Sequence, residues 1–171
     1  SGEPATAQGI LLHGYGADGN DLIGLAPYFA RVLPNAAFVA PNGPEQCGMS
    51  AFGYQWFPIN QFDPASRLAG VQSAAPVLDQ FIDKELERHG LEEDKLLLIG
   101  FSQGTMMSLH VALRRPRQVA GILGYSGILA GLELLPDEAI SKPPIQLIHG
   151  DMDEMLPVAN LHEAVSALGA A

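Results

Sequence analysis

Apolar residues in this chain fall into short continuous runs separated by stretches with helical spacing. Ile10-Leu11-Leu12, Ala36 to Ala40, Leu96-Leu97-Leu98-Ile99, Val119 to Tyr125 and Ile145 to His149 read as strands. Their apolar residues are contiguous rather than alternating, which belongs to strands covered on both faces. Between them, Leu22, Leu25, Ala26 and Phe29 share a face of a helix capped by Asn20 or Asp21 and ending before Pro34. Val77, Leu78, Phe81, Ile82 and Leu86 predict a helix from about Gly70 to His89. Met106, Leu109 and Leu113 mark another over Gln103 to Arg115, stopped by Pro116, and a last helix spans about Pro157 to Leu168. An aromatic loop from Glu45 to about Leu68 and a Gly/Pro-rich excursion to Pro144 interrupt the alternation. Strand alternating with helix predicts an α/β fold: a doubly wound, mostly parallel sheet with helices on both faces. Ligands of such sheets bind at the carboxyl ends of the strands.

The most informative strand end is the third. Leu96 to Ile99 runs into Gly100-Phe101-Ser102-Gln103-Gly104, a G-x-S-x-G pattern between a buried strand and a helix. A serine in that context sits on a strained turn that exposes its hydroxyl above the sheet, and the amide of the next residue points where an oxyanion forms. Ser102 is the candidate nucleophile and the N–H of Gln103 a candidate oxyanion donor. The loop after the first strand, His13-Gly14-Tyr15-Gly16, can present a second N–H, and His149-Gly150-Asp151-Met152-Asp153 offers carboxylates. Oxyanion loop, serine, acid is the chain order of a Ser-Asp hydrolase arrangement.

Gly14-Tyr15-Gly16-Ala17-Asp18-Gly19 also matches G-x-G-x-x-G, which suggests a dinucleotide site. Two features oppose it. The second strand ends Val39-Ala40-Pro41-Asn42, without the acid a ribose needs, and Asp18 and Asp21 stand at the helix N-terminus a pyrophosphate would occupy.

Composition narrows the rest. With 171 residues, 47% of them hydrophobic and 16% charged, the chain is a single globular domain over residues 1–171. A formal charge of −10 excludes nucleic acid or an anionic membrane as expected partners. Val119 to Leu132 is too short to span a bilayer and is broken by glycines, so no stable membrane insertion is expected. The single cysteine, Cys47, forms no internal disulfide and reads as a small loop residue. No signal peptide pattern opens the chain, and a cytoplasmic protein is expected. No spacing adds third and fourth ligands to His149, Asp151 and Asp153, so neither metal nor other cofactor is expected. A homodimer is left open.

The segments LLHGYGADG, FVAPNGP, WF, GFSQG followed by TMMSLHVAL, VAGILGYSG and HGDMDEMLP, spread over nearly the whole chain, resemble the phospholipase/carboxylesterase family of α/β hydrolases, which includes the acyl-protein thioesterases. The resemblance implies an α/β-hydrolase fold and a serine hydrolase of acyl esters or thioesters, with a small-molecule acyl substrate. It implies Ser102 as nucleophile, Asp153 as the triad acid through the HGxxDxxxP pattern, and Tyr15 and Gln103 as oxyanion donors. Asp151 is then expected to be structural, bonding within its own turn. Trp56, Phe57 and Met106 are candidates for an acyl pocket, with core packing as the other reading; Phe52, Tyr54 and Phe62 share that aromatic loop.

The family's general base is a histidine in a Gly-His pair after one further strand, and no such pair follows Asp153 in these residues. His110 lies eight residues past Ser102 on a helix, about 12 Å along the axis. His89 precedes a strand, at the opposite edge of the sheet; His162 rides an exposed helix; His13 and His149 are expected to hold loop backbone. The expectation is therefore that the family's last strand, catalytic histidine and final helix are absent from these 171 residues. Two functional classes follow: a serine hydrolase, or a hydrolase-fold protein that binds without turnover.

Overall fold

The computed structural model describes residues 4–171. Five strands, β1 (Ala7–Leu12), β2 (Ala36–Val39), β5 (Leu96–Phe101), β6 (Gly121–Tyr125) and β7 (Ile145–Ile148), form one sheet in the order β2-β1-β5-β6-β7. Every pairing in it is parallel. The chain leaves β1 to build β2 on one side, then returns to place β5 on the other. The switch point therefore lies between the carboxyl ends of β1 and β5, where such sheets open a crevice.

The continuous apolar runs serve both faces. In β1, Ile10 and Leu12 join a core shared with α3 (Pro64–His89) and α4 (Gln103–Ala112). Leu11 faces the other way, into a smaller core with Leu22, Phe29 and Phe38 under α1 (Gly19–Ile23) and α2 (Ala26–Phe29). All ten residues of α4 are buried, because it packs against β5, β6, β1 and α3 together. Its polar residues must then bond locally: Ser108 Oγ donates to the Gly104 carbonyl at 2.8 Å.

Several element boundaries differ from the sequence reading. Asp18, not Asn20 or Asp21, caps the first helix and accepts from the Asp21 N–H. That helix divides at Gly24 into α1 and α2. Helix α3 begins at Pro64, six residues before Gly70, because Asp63 caps it and Pro64 suits its first turn. The aromatic loop also contains a small antiparallel pair, β3 (Glu45–Gln46) and β4 (Tyr54–Gln55). The excursion before β7 holds a short helix, α5 (Leu135–Glu138), and α6 (Ala159–Ala170) is the last. No helix among the described residues is long and apolar enough to cross a membrane.

Candidate active site

Strand β5 ends at Phe101 and α4 begins at Gln103, so Ser102 alone must reverse the chain direction. It does so at φ 53° and ψ −114°, backbone angles that side chains other than glycine avoid. The surroundings hold it there. Its N–H donates to the Tyr125 carbonyl at 2.9 Å, and its own carbonyl accepts from Thr105 and Met106 at 3.0 and 3.2 Å. Thr105 Oγ1 donates to the same Tyr125 oxygen at 2.8 Å, tying α4 to the end of β6. A Cβ on Gly100 would lie 2.5 Å from the Thr105 nitrogen, and one on Gly104 would lie 1.9 Å from the Leu12 carbonyl oxygen. Only glycine permits that approach. The serine is half-buried, and its Oγ makes no hydrogen bond among the described residues.

The loop after β1 runs beside this turn: a Cβ on Gly14 would lie 3.2 Å from the Ser102 Cβ. Gly16 N–H is used by the Tyr54 carbonyl at 2.9 Å and Ala17 N–H by the Gly14 carbonyl at 3.3 Å. The N–H of Tyr15 has no acceptor among the described residues. The N–H of Gln103, first of α4, has none within its helix. Two uncommitted amides beside a serine hydroxyl are the donor set that a developing oxyanion requires.

The side chains of Tyr15 and Gln103 meet different partners. Neighbouring Cys47 leads in holding the Tyr15 phenol above its usual range. Burial pushes the Cys47 thiol up, but bonds from Tyr15, Met49 and Ser50 prevail and leave it below the usual thiol range. Gln103 is buried; its Oε1 accepts from the Trp56 N–H at 2.9 Å and its Nε2 donates to the Phe57 carbonyl at 2.8 Å. Sequence reasoning assigned Gln103 only its backbone N–H and missed this clamp. The available signal was an amide side chain at the first position of a helix that is buried throughout.

Trp56, Phe57 and Met106 do not line an open wall. They are 2, 4 and 6% exposed and pack in the core shared with α3 and α4. Gly70 of α3 lies against the Phe57 ring, and Trp56 Nε1 donates to the His13 carbonyl at 3.0 Å. Of the two readings, their burial favours core packing. Phe52 and Phe62 are exposed, and Tyr54 is half-buried.

Beyond β7, Asp153 Oδ1 accepts from the Met155 and Leu156 N–H groups at 3.0 and 2.9 Å. The Leu156 bond leads, with Met155 and nearby His149, in holding the carboxyl below its usual range despite partial desolvation. Oδ2 lies 3.6 Å from His149 Nε2, which itself donates to the Leu156 carbonyl at 2.6 Å. Asp153 thus anchors its turn with Oδ1, while Oδ2 makes no hydrogen bond among the described residues. Asp151 is exposed and makes no hydrogen bond among the described residues. The structural part expected of Asp151 belongs to Asp153, whose carboxylate reaches two amides further along the turn.

None of the five histidines hydrogen-bonds Ser102 among the described residues. His13 and His149 bond loop backbone, as expected. His110 is buried inside α4, where burial and then Arg114 push it down to about 4. His89 pairs loosely with Glu85 beside Ala36 and Ala37, at the amino ends of the strands. His162 is exposed on α6.

Ser102, Asp153 and the candidate oxyanion donors leave the carboxyl ends of β5, β7 and β1, and relatives share the frame that holds them. The phospholipase/carboxylesterase family model matches residues 1–171. The chain is 31% identical to the esterase YpfH of Escherichia coli over 96% of its own length and 68% of that protein's. It is 30% identical to acyl-protein thioesterase 1 of Saccharomyces cerevisiae over 91% of its length and 74% of that protein's. The crystal structure of esterase PE8 superposes with a TM-score of 0.94 at 43% identity, covering 98% of this chain and 79% of that one. A phospholipase/carboxylesterase from Dyadobacter fermentans superposes at 0.76 and 26% identity, over 99% and 79%. A parallel sheet with its serine turn between β5 and α4, matched along the whole chain, therefore assigns this protein to the phospholipase/carboxylesterase family of α/β hydrolases.

Proposed function

We propose that this protein is a serine hydrolase of carboxylic esters or acyl thioesters, acting through an acyl-enzyme on Ser102. The observation that carries the reading is the strained Ser102 backbone, at φ 53°, beside a glycine loop with an uncommitted N–H at Tyr15. Strain of this kind persists where surrounding structure over-determines it, and it clusters at active sites. The relatives named esterase and acyl-protein thioesterase supply the substrate class.

In the reaction Ser102 Oγ attacks the acyl carbon while a histidine base takes its proton. The carbonyl oxygen becomes an oxyanion between the N–H groups of Tyr15 and Gln103. Collapse expels the alcohol or thiol, which receives the proton, and leaves the acyl group on Ser102. Water repeats the sequence and frees the acid. Asp153 orients the base and stabilises its charged form through Oδ2. No histidine among the described residues hydrogen-bonds Ser102, and the family resemblance implies a base in a Gly-His pair. A catalytically silent binding protein is the lesser reading, because the free serine hydroxyl and both amides would then serve no purpose. The free thiol of Cys47 fits a reducing, cytoplasmic setting.

A fluorophosphonate probe tests the nucleophile. It should label the full-length protein once, at Ser102, and both labelling and aryl-ester turnover should vanish in Ser102→Ala. Labelling that survives the substitution would overturn the assignment.

A further inference from the structure

The peptide joining Gly14 to Tyr15 carries a proposed oxyanion donor at one end, and a buried side chain holds its other end. His13 is fully buried. The Gly43 N–H approaches its Nε2 at 2.8 Å. A backbone N–H can only donate, so Nε2 is the lone-pair nitrogen and the ring proton resides on Nδ1. Nδ1–H then donates to the Gly14 carbonyl at 2.7 Å. Burial leads in keeping the ring neutral, against the Gly14 bond and the charges of Asp18 and Asp21. The ring cannot readily turn away, since the Trp56 ring lies 5.7 Å from it and Trp56 Nε1 holds the His13 carbonyl.

A trans peptide is planar, so its C=O and N–H point in opposite directions. Fixing the Gly14 oxygen toward His13 therefore fixes the direction of the Tyr15 N–H. Among the described residues the only other bond to that oxygen, from Ala17 N–H, is longer at 3.3 Å. If this peptide turned over, a carbonyl oxygen would replace a donor beside Ser102 and repel the oxyanion. We propose that His13 is a positioning residue whose Nδ1–H bond to the Gly14 carbonyl aims the Tyr15 N–H at the oxyanion. The proposal rests on the reading of Ser102 and Tyr15 given above.

Two substitutions separate the two ring nitrogens. His13→Asn puts an amide nitrogen where Nδ1 stands and leaves Nε2 unreplaced. His13→Gln reaches the Nε2 position with its oxygen and leaves Nδ1 unreplaced. Each forfeits one buried hydrogen bond, so both should melt earlier by similar amounts. In the full-length protein, His13→Gln should lower kcat for an aryl ester about 10²-fold, the smaller end of the loss of one oxyanion donor, with KM nearly unchanged. Binding of a trifluoromethyl ketone, which mimics the tetrahedral oxyanion, should weaken by the same factor. His13→Asn should stay within about fivefold of wild type on both measures, since it keeps the donor. Equal losses in both variants, in a protein whose turnover depends on Ser102, would overturn the positioning role alone. Turnover that survives Ser102→Ala would overturn the nucleophile and this proposal with it. Should either variant fail to fold, ¹⁵N NMR of the wild-type imidazole decides: a proton on Nε2 rather than Nδ1 overturns the proposal, and one on Nδ1 supports it.

Discussion

The backbone of Gly104 lies against the carbonyl oxygen of Leu12, with 1.9 Å between that oxygen and any Cβ the glycine could carry. The first turn of α4 is thereby pressed onto the end of β1, which draws the loop of Gly14 and Tyr15 up beside Ser102. The placement of that loop depends on a missing methyl group.

Gly104→Ala should therefore damage both stability and site. The added methyl meets backbone, which cannot rotate away, so the loss should reach at least about 3 kcal/mol in urea unfolding. Gly150→Ala is the control, because its Cβ would meet nothing within 4 Å, and it should change stability by less than about 0.5 kcal/mol. Matching midpoints for the two variants would refute the packing argument.

Asp153 and Asp151 differ by two positions and should differ widely in effect. Asp153→Asn should lower turnover by roughly 10⁴-fold, as a triad acid does when its amide selects the wrong histidine tautomer. Its Oδ1 can still accept from Met155 and Leu156, so the melting temperature should fall only slightly. Asp151→Asn, at an exposed side chain, should leave both measures near wild type. Comparable losses of kcat in the two variants would show that Asp153 is not the acid.

His110 should make the fold sensitive to acid. Buried in α4 beside Arg114, it keeps its proton off until about pH 4, whereas in the unfolded chain it protonates near 6.5. Between those values the unfolded state binds the extra proton. This contribution is thus intact above pH 6.5 and lost as pH falls toward 4, by at most about 3 kcal/mol. His13, also buried and lowered, acts in the same direction. His110→Leu should flatten the profile between pH 6.5 and 4 with little change at pH 7, since Nδ1 has no partner to lose. An unchanged slope in urea midpoints across that range would refute the assignment.

The sequence by itself determined the frame and singled out the turn at Ser102. Short contiguous apolar runs bounded by turn residues read as strands of a covered sheet, and Gly100-Phe101-Ser102-Gln103-Gly104 after such a run fits one sharp turn. These signals are local: they concern neighbours in sequence and the volume of their own side chains. The cap at Asp18 and the early start of α3 are local too, yet several candidate caps stand within three residues, and spacing does not rank them. Only tertiary structure decided which polar atoms find partners. Gln103 bonds Trp56 and Phe57 across 47 and 46 positions, and His13 Nε2 accepts from Gly43 across 30. No pattern along the chain announces such bonds, because they depend on which loops the sheet order brings together. For the same reason Trp56 and Phe57 read equally well as pocket wall or core until the approach of α3 buried them. The acid loop shows the limit plainly: sequence supplied two aspartates, and the direction of the turn gave Asp153 the amides of Met155 and Leu156 and left Asp151 in water.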